Sequence, residues 1–131
     1  MFIDSSALVA VMTKEADAIP LAEQMRNAET RVVSAAVVWE VVVNLAKKKN
    51  LSLQRAQTEL KDFLNAFEIR IASIPPEAGF AALDAFERFG KGRHPASLNF
   101  GDCLSYGCAK ALNLPLLFKG NDFELTDVNT V

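Results

Sequence analysis

The sequence predicts an α/β fold, a three-layer α/β/α sandwich around a mainly parallel sheet. Three observations predict it. Short apolar runs ("MFI", "RVVS", "EIRIAS", "LPLLF") alternate with longer segments of helical periodicity. The segments between the runs are long enough to be helical crossovers, which parallel strands require. Half of the 131 residues are hydrophobic, enough to fill one core without disulfide staples.

Each element has its own local reason. Met1 to Ile3 is a short strand, and a helix starts at Ser5 or Ser6 and runs to about Thr13. Ala16 to Ala28 carries a second helical stripe of Ile19, Ala22 and Met25. "RVVS" is a strand, and Ser34 is placed to cap a helix that ends near Asn50. Ser52 caps the next helix, with Leu53, Ala56, Leu60, Phe63, Leu64 and Phe67 at a period near 3.6. "EIRIAS" alternates as a strand does. Pro75-Pro76 opens a helix whose apolar positions are Phe80, Leu83, Phe86 and Phe89, with core packing expected for them. "GKGRHPASLN" reads as a loop, and Asn99 caps a helix over Phe100 to Leu112. "LPLLF" is a buried strand, "KGND" a turn and "DVNTV" a short terminal strand. No repeat or linker divides residues 1–131, so one domain is expected.

Composition excludes several function classes. No apolar run is long enough to span a bilayer. The N-terminus has no basic leader and no small-residue cleavage pattern, so a soluble, cytoplasmic protein is expected. The net charge of −2 does not fit a general nucleic-acid sponge. Cys103 and Cys108 lie about 140° apart around one helix, which suits small buried hydrophobes and not a mutual disulfide. The single histidine, His94, excludes a histidine-rich metal centre.

"SAAVVWEVVVNLA" poses the sharpest question. Glu40 stands among six large apolar residues, and an unpaired buried carboxylate shifts its pKa or finds a cation. Glu40 could point outward and leave the valines to cover the rest of the helix. The other acids bear on the choice. Asp4 follows the first strand, Asp122 follows the turn after "LPLLF", and Asp102 lies in the first turn of a helix. Each aspartate also has a plain local reading: Asp4 as an N-cap, Asp102 as partner to Asn99 in a capping arrangement, Asp122 as a turn residue. Together they share the carboxyl edge of a parallel sheet, where open sheets place their sites. Clustered carboxylates repel unless a hard divalent cation relieves them, and Mg²⁺ and Mn²⁺ prefer such oxygens.

"MFIDSSALVAV", "SAAVVWEVVVNLAKKKN", "HPASLNFGDCLSYGCAKALNLPLLFKGNDF" and "TDV" resemble the PIN-domain ribonucleases, specifically the VapC-type toxins of toxin–antitoxin pairs. The resemblance spans nearly the whole chain. "LNFGDCLSYGCAK" with "LPLLFKGNDF" is its most specific part. It implies a PIN-like fold and a Mg²⁺-dependent (or Mn²⁺-dependent) endoribonuclease that hydrolyses phosphodiester bonds. Carried over, the acidic quartet falls on Asp4, Glu40, Asp102 and Asp122, with Asp4 and Asp102 as direct metal ligands. Ser5 and Ser6 match a hydroxyl-rich turn that orients the first aspartate. Asn121 stands where many relatives have a second aspartate, and Ser97 where many have arginine.

The resemblance also implies a homodimer and a cognate VapB-like antitoxin that blocks the pocket. An inhibitor arginine or lysine would compete with Mg²⁺ for the carboxylates. The Phe80 to Phe89 helix and the early helices are candidate contact faces. Lys119, Arg93 and the Lys47–Lys49 cluster are candidate RNA contacts, against the plain readings of solvated charge and favourable placement at a helix C-terminus. Two rivals differ in class. A phosphoryl-transfer receiver domain needs adjacent acids after the first strand, and "FIDSS" supplies one. A PIN-like binding module without catalysis would be expected to have lost acids that are all present here.

Overall fold

In the computed structural model, which describes residues 1–131, ten elements alternate along the chain. They are β1 (Phe2–Ile3), α1 (Ser5–Met12), α2 (Ala18–Asn27), β2 (Val32–Ser34), α3 (Ala35–Lys49), α4 (Leu53–Ala66), β3 (Arg70–Ala72), α5 (Pro76–Phe89), α6 (Phe100–Ala111) and β4 (Leu116–Leu117). The strands form one sheet in the order β3-β2-β1-β4. Every pairing is parallel, so "mainly parallel" becomes wholly parallel: Phe2 registers with Val32 and Leu116, and Val33 with Ile71.

The order explains the layers. From β1 to β2 to β3 the chain steps outward in one direction; from β3 to β4 it jumps back past β1. Parallel crossovers are right-handed, so reversing the direction moves the connecting helices to the other face. Helices α1 to α4 thus cover one face and α5 with α6 the other, giving the three-layer sandwich. Phe2, Ile3, Val32, Val33 and Leu116 are sealed between them.

Local chemistry sets the ends. Ser34 Oγ accepts from Val37 N (3.3 Å), and Asn50 closes α3 in a left-handed conformation (φ 52°), its N–H bonded to Ala46 O. Lys47, Lys48 and Lys49 fill the last turn of α3, where cations meet the helix dipole favourably. Ser52 caps α4 as expected, accepting from Arg55 N (3.1 Å). Cys103 and Cys108 are buried and unpaired. No helix is long and apolar enough to cross a membrane.

Four expectations are corrected. Strand β3 is shorter than "EIRIAS", because Glu68 turns left-handed (φ 52°) to end α4. "DVNTV" forms only one bridge, Thr130 to Leu116. Side chains pin that segment instead: Tyr106 Oη donates to Asp127 Oδ1 (2.7 Å) and Arg88 Nη2 donates to Oδ2 (3.0 Å). Ile19 is 73% exposed, and α2 buries Leu21, Ala22 and Met25. On α5, Phe80 and Leu83 are 76% and 66% exposed, and Phe86 is exposed too; Ala78, Ala82, Ala85 and Phe89 face inward. The cause is a close approach by α6. A Cβ on Gly107 would strike the Ala78 carbonyl, so only small residues fit that interface. The large side chains are turned outward.

Candidate active site

The site begins at the switch in strand order. Between β1 and β4 the connections leave on opposite faces, and a crevice opens outside their carboxyl ends. Asp4 follows β1 directly, and Lys119 to Asp122 follow β4. A cleft of about 350 Å³ lies there, lined by Asp4, Ser5, Ser6, Glu40, Asp102 and Lys119 among others.

Asp4 caps α1 and is also the most buried acid of the site, at 2% exposure. Its Oδ2 accepts from Ser6 N (2.9 Å) and Ser6 Oγ (2.6 Å), and its Oδ1 from Ser105 Oγ (2.6 Å). Ser6 Oγ in turn accepts from Lys119 N (3.0 Å). One hydroxyl thereby ties the end of β1 to the turn after β4.

Asp102 completes a capping box: Asn99 Oδ1 accepts from Asp102 N (3.0 Å), and Asp102 Oδ2 accepts from Asn99 N (2.9 Å). The plain readings of Asp4 and Asp102 are therefore correct and compatible with a shared site. Capping aims each carboxylate at the edge where its helix begins. Burial pushes Asp102 up to about 6; the Asn99 bond opposes this, and Asp4, Asp122 and Glu40 add to it.

Glu40 points into the cleft and not out to solvent. Burial raises its carboxyl above the usual range, a hydrogen bond with Ser5 opposes this, and Asp4 adds to the rise. Its head packs over the first turn of α6, where a Cβ at Gly101 would collide with the carboxylate. The valines go elsewhere: Val37, Val41 and Val42 are buried on other faces of α3.

Asp122 is exposed in the turn after β4 and is not part of the cleft lining, and its charge acts on Asp102. Asn121 is exposed, and its carbonyl accepts from Glu124 N (3.2 Å). Lys119 lines the cleft but is engaged, its Nζ paired with Glu15 and 3.8 Å from Asp17. Lys48 also lines it and pairs with Glu15. Arg93 is not part of the lining; it sits over the Phe86 ring, 3.9 Å from Glu87. Ser97 is exposed in the same loop with a left-handed backbone (φ 53°). His94 serves that loop, Nδ1 accepting from Ala96 N (3.1 Å).

Sequence reasoning missed Ser105 and Gly101. A serine three residues after Asp102 in an otherwise apolar helix face was the signal for the first. A glycine in the first helical turn was the signal for the second.

The donor set is all oxygen, which suits a hard cation. No three acids are drawn together tightly enough to cage an ion by themselves. Mg²⁺ does not need such a cage, because it keeps several waters and binds through one or two carboxylates. The residues present therefore fit it.

A parallel sheet with acids lining the crevice at its switch point defines an α/β domain with an acidic site, and the chain belongs to one family of such domains, the PIN domain, whose model matches residues 1–129. Its relatives place it among the VapC ribonucleases. It is 39% identical over 131 residues to Ribonuclease VapC of Mycolicibacterium smegmatis, covering 100% of this chain and 99% of that one. It is 37% identical to Ribonuclease VapC30 of Mycobacterium tuberculosis, covering 100% and 98%. The fold matches that of M. tuberculosis VapC20, described as a sarcin-ricin loop cleaving toxin (TM-score 0.75, 15% identity, 99% and 97% covered). It also matches VapBC2 from Rickettsia felis bound to a promoter DNA fragment (TM-score 0.70, 18% identity, 98% and 94% covered).

Proposed function

We propose that this chain is the endoribonuclease toxin of a toxin–antitoxin pair, hydrolysing RNA at Asp4, Glu40, Asp102 and Asp122 with Mg²⁺ or Mn²⁺ as cofactor. One observation carries the reading. Asp4, Glu40 and Asp102, from separated elements, gather in one cleft, where burial first and the charges of the neighbouring acids after it push Asp102 up to about 6. Such crowding raises the folding free energy and calls for a cation.

When bound, the cation supplies Lewis-acid activation of water and offsets charge on the phosphate oxygens. The chain's residues do the rest. Asp4 and Asp102 would be the direct ligands, each already held by hydrogen bonds. Glu40, on the cleft wall, and Asp122, in the turn after β4, would complete the acidic site around the cation. Lys119, on the cleft wall, and Arg93, in the loop before α6, are the RNA-contact candidates. For Lys119, contact means exchanging Glu15 for a phosphate.

The partners are RNA, a second copy of the chain and a VapB-like antitoxin. Two apolar surfaces are free for protein partners: the Phe80–Leu83 face of α5 and the groove around Trp39.

The test is cleavage of total RNA with Mg²⁺ or Mn²⁺, with and without chelator, beside Asp4→Ala. Metal-dependent cleavage that Asp4→Ala abolishes is expected. Cleavage that survives either chelation or Asp4→Ala overturns the reading.

A further inference from the structure

Ser105 is buried, at 2% exposure, on the inner side of α6. A mid-helix serine usually faces solvent or bonds back to the preceding turn, and alanine has the higher helix propensity. This hydroxyl does neither. It reaches across 101 positions of sequence to Asp4 Oδ1, 2.6 Å away. An ionised carboxylate only accepts, so Ser105 is the donor.

The acceptor positions of Asp4 can then be counted. Each carboxylate oxygen offers about two lone pairs. Oδ2 takes Ser6 N and Ser6 Oγ, and is filled. The direction of the second bond is fixed, because Ser6 Oγ is itself an acceptor from Lys119 N and turns its proton to Asp4. Oδ1 takes Ser105 alone. The one unclaimed position on Asp4 is thus on Oδ1, the oxygen that Ser105 holds.

We propose that Ser105 is a positioning residue, whose buried hydroxyl presents Oδ1 of Asp4 as the single atom this aspartate gives to a divalent cation. The inference rests on the metal-dependent reading of the cleft. Removing the hydroxyl leaves Asp4 held through Oδ2 alone and the ligand oxygen without its partner. Groups that orient metal ligands in this way typically change metal affinity or activity by about 10- to 100-fold when removed.

The experiment is calorimetric titration of the whole protein with Mn²⁺, for the parent, Ser105→Ala and Ser105→Cys, with apo melting temperatures and RNA cleavage alongside. Ser105→Ala is expected to fold and to bind Mn²⁺ about 10- to 100-fold more weakly. Ser105→Cys puts a slightly larger group with a weaker donor at the same place, and is expected to fall between parent and alanine; it carries the test where the alanine variant does not fold. Mn²⁺ affinity within twofold of the parent overturns the proposal, and so does a lowered melting temperature with unchanged affinity, which marks a packing role only. In either case a parent that binds Mn²⁺ and cleaves RNA leaves the ribonuclease reading standing. A parent that does neither overturns both.

Discussion

Trp39 and Glu40 are neighbours on α3, and they point about 100° apart around its axis. Glu40 enters the acidic cleft with Asp4 and Asp102. Trp39, 68% exposed, borders a groove of about 320 Å³ between α3 and α4, with Val38, Val42, Leu53, Leu60 and Ile71. One region concentrates charge that folding opposes. The other leaves apolar surface that folding would have hidden. Both are departures from the rule of apolar inside and charged outside, and both lie on one helix. The lesson is that α3 carries two surfaces its core packing does not require, an acidic one toward the cleft and an apolar one toward the groove. Its core demand is met by Val37, Val41, Val42 and Leu45.

The comparison breaks most sharply at Glu40. Glu40→Gln keeps the shape of the side chain and removes its charge. Cleavage is expected to fall by at least about 100-fold, the usual cost of one lost electrostatic group in a catalytic site, while circular dichroism is unchanged. Parent-level cleavage by this variant under limiting metal would remove Glu40 from the mechanism.

The groove side answers to packing. Leu60 lines it but is 2% exposed, so Leu60→Ala should cost about 2–5 kcal/mol in denaturant unfolding. Trp39→Ala, in the same groove, should change stability by less than about 0.5 kcal/mol and leave cleavage alone. A large loss from Trp39→Ala would mean that the groove belongs to the core and is not a surface for partners.

The two regions should also respond oppositely to neutral substitution. Asp102→Asn removes a charge that burial and three acids oppose. The rise from 3.8 to about 6 corresponds to roughly 3 kcal/mol for a fully buried group, and partial exposure reduces it to about 1 kcal/mol. In chelator near neutral pH, the variant should therefore melt about 3–5 °C higher than the parent. It should also be inactive. A lower melting temperature would show that capping by Asp102 outweighs its repulsion.

Much of this was legible in the sequence, for physical reasons. The helix caps Ser34, Ser52 and Asn99 act through bonds within three residues, so local sequence contains them. That Asp4 and Asp102 face one edge was legible because each caps a helix that starts there, and Glu40 was legible as a carboxylate out of place in an apolar run. What escaped depended on contacts between distant elements. The outward turn of Phe80 and Leu83 follows from Gly107 meeting Ala78, which no periodicity on α5 encodes. The reach of Ser105 to Asp4 joins two positions that only the sheet order brings together. Lys119 was read as a candidate RNA contact against a solvated charge, and its capture by Glu15 depends on how α1 ends against the turn after β4.

That capture gives the smallest effect and the finest test of where cleft charge ends. Glu15 is held down to about 2 by its hydrogen bonds with Lys119 and Lys48, in that order. Its folded value lies below its unfolded value, so the stability it contributes is fully present above about 4.5 and is lost as the pH falls toward about 2. The pairs are partly exposed, so the contribution is about 0.5 kcal/mol. The melting difference between parent and Glu15→Gln should be largest above pH 4.5, shrink across that window and shrink with added salt. Near neutral pH the same variant releases Lys119 and Lys48 beside the acids. With Mg²⁺ present, it should bind RNA more tightly, with a steeper salt dependence than the parent. Lys119→Ala should do the reverse, losing a slope increment of about 0.7. If Glu15→Gln leaves RNA affinity and its salt slope unchanged, the cation pair at the rim is only an ion pair, and the phosphate-contacting surface lies elsewhere on the molecule.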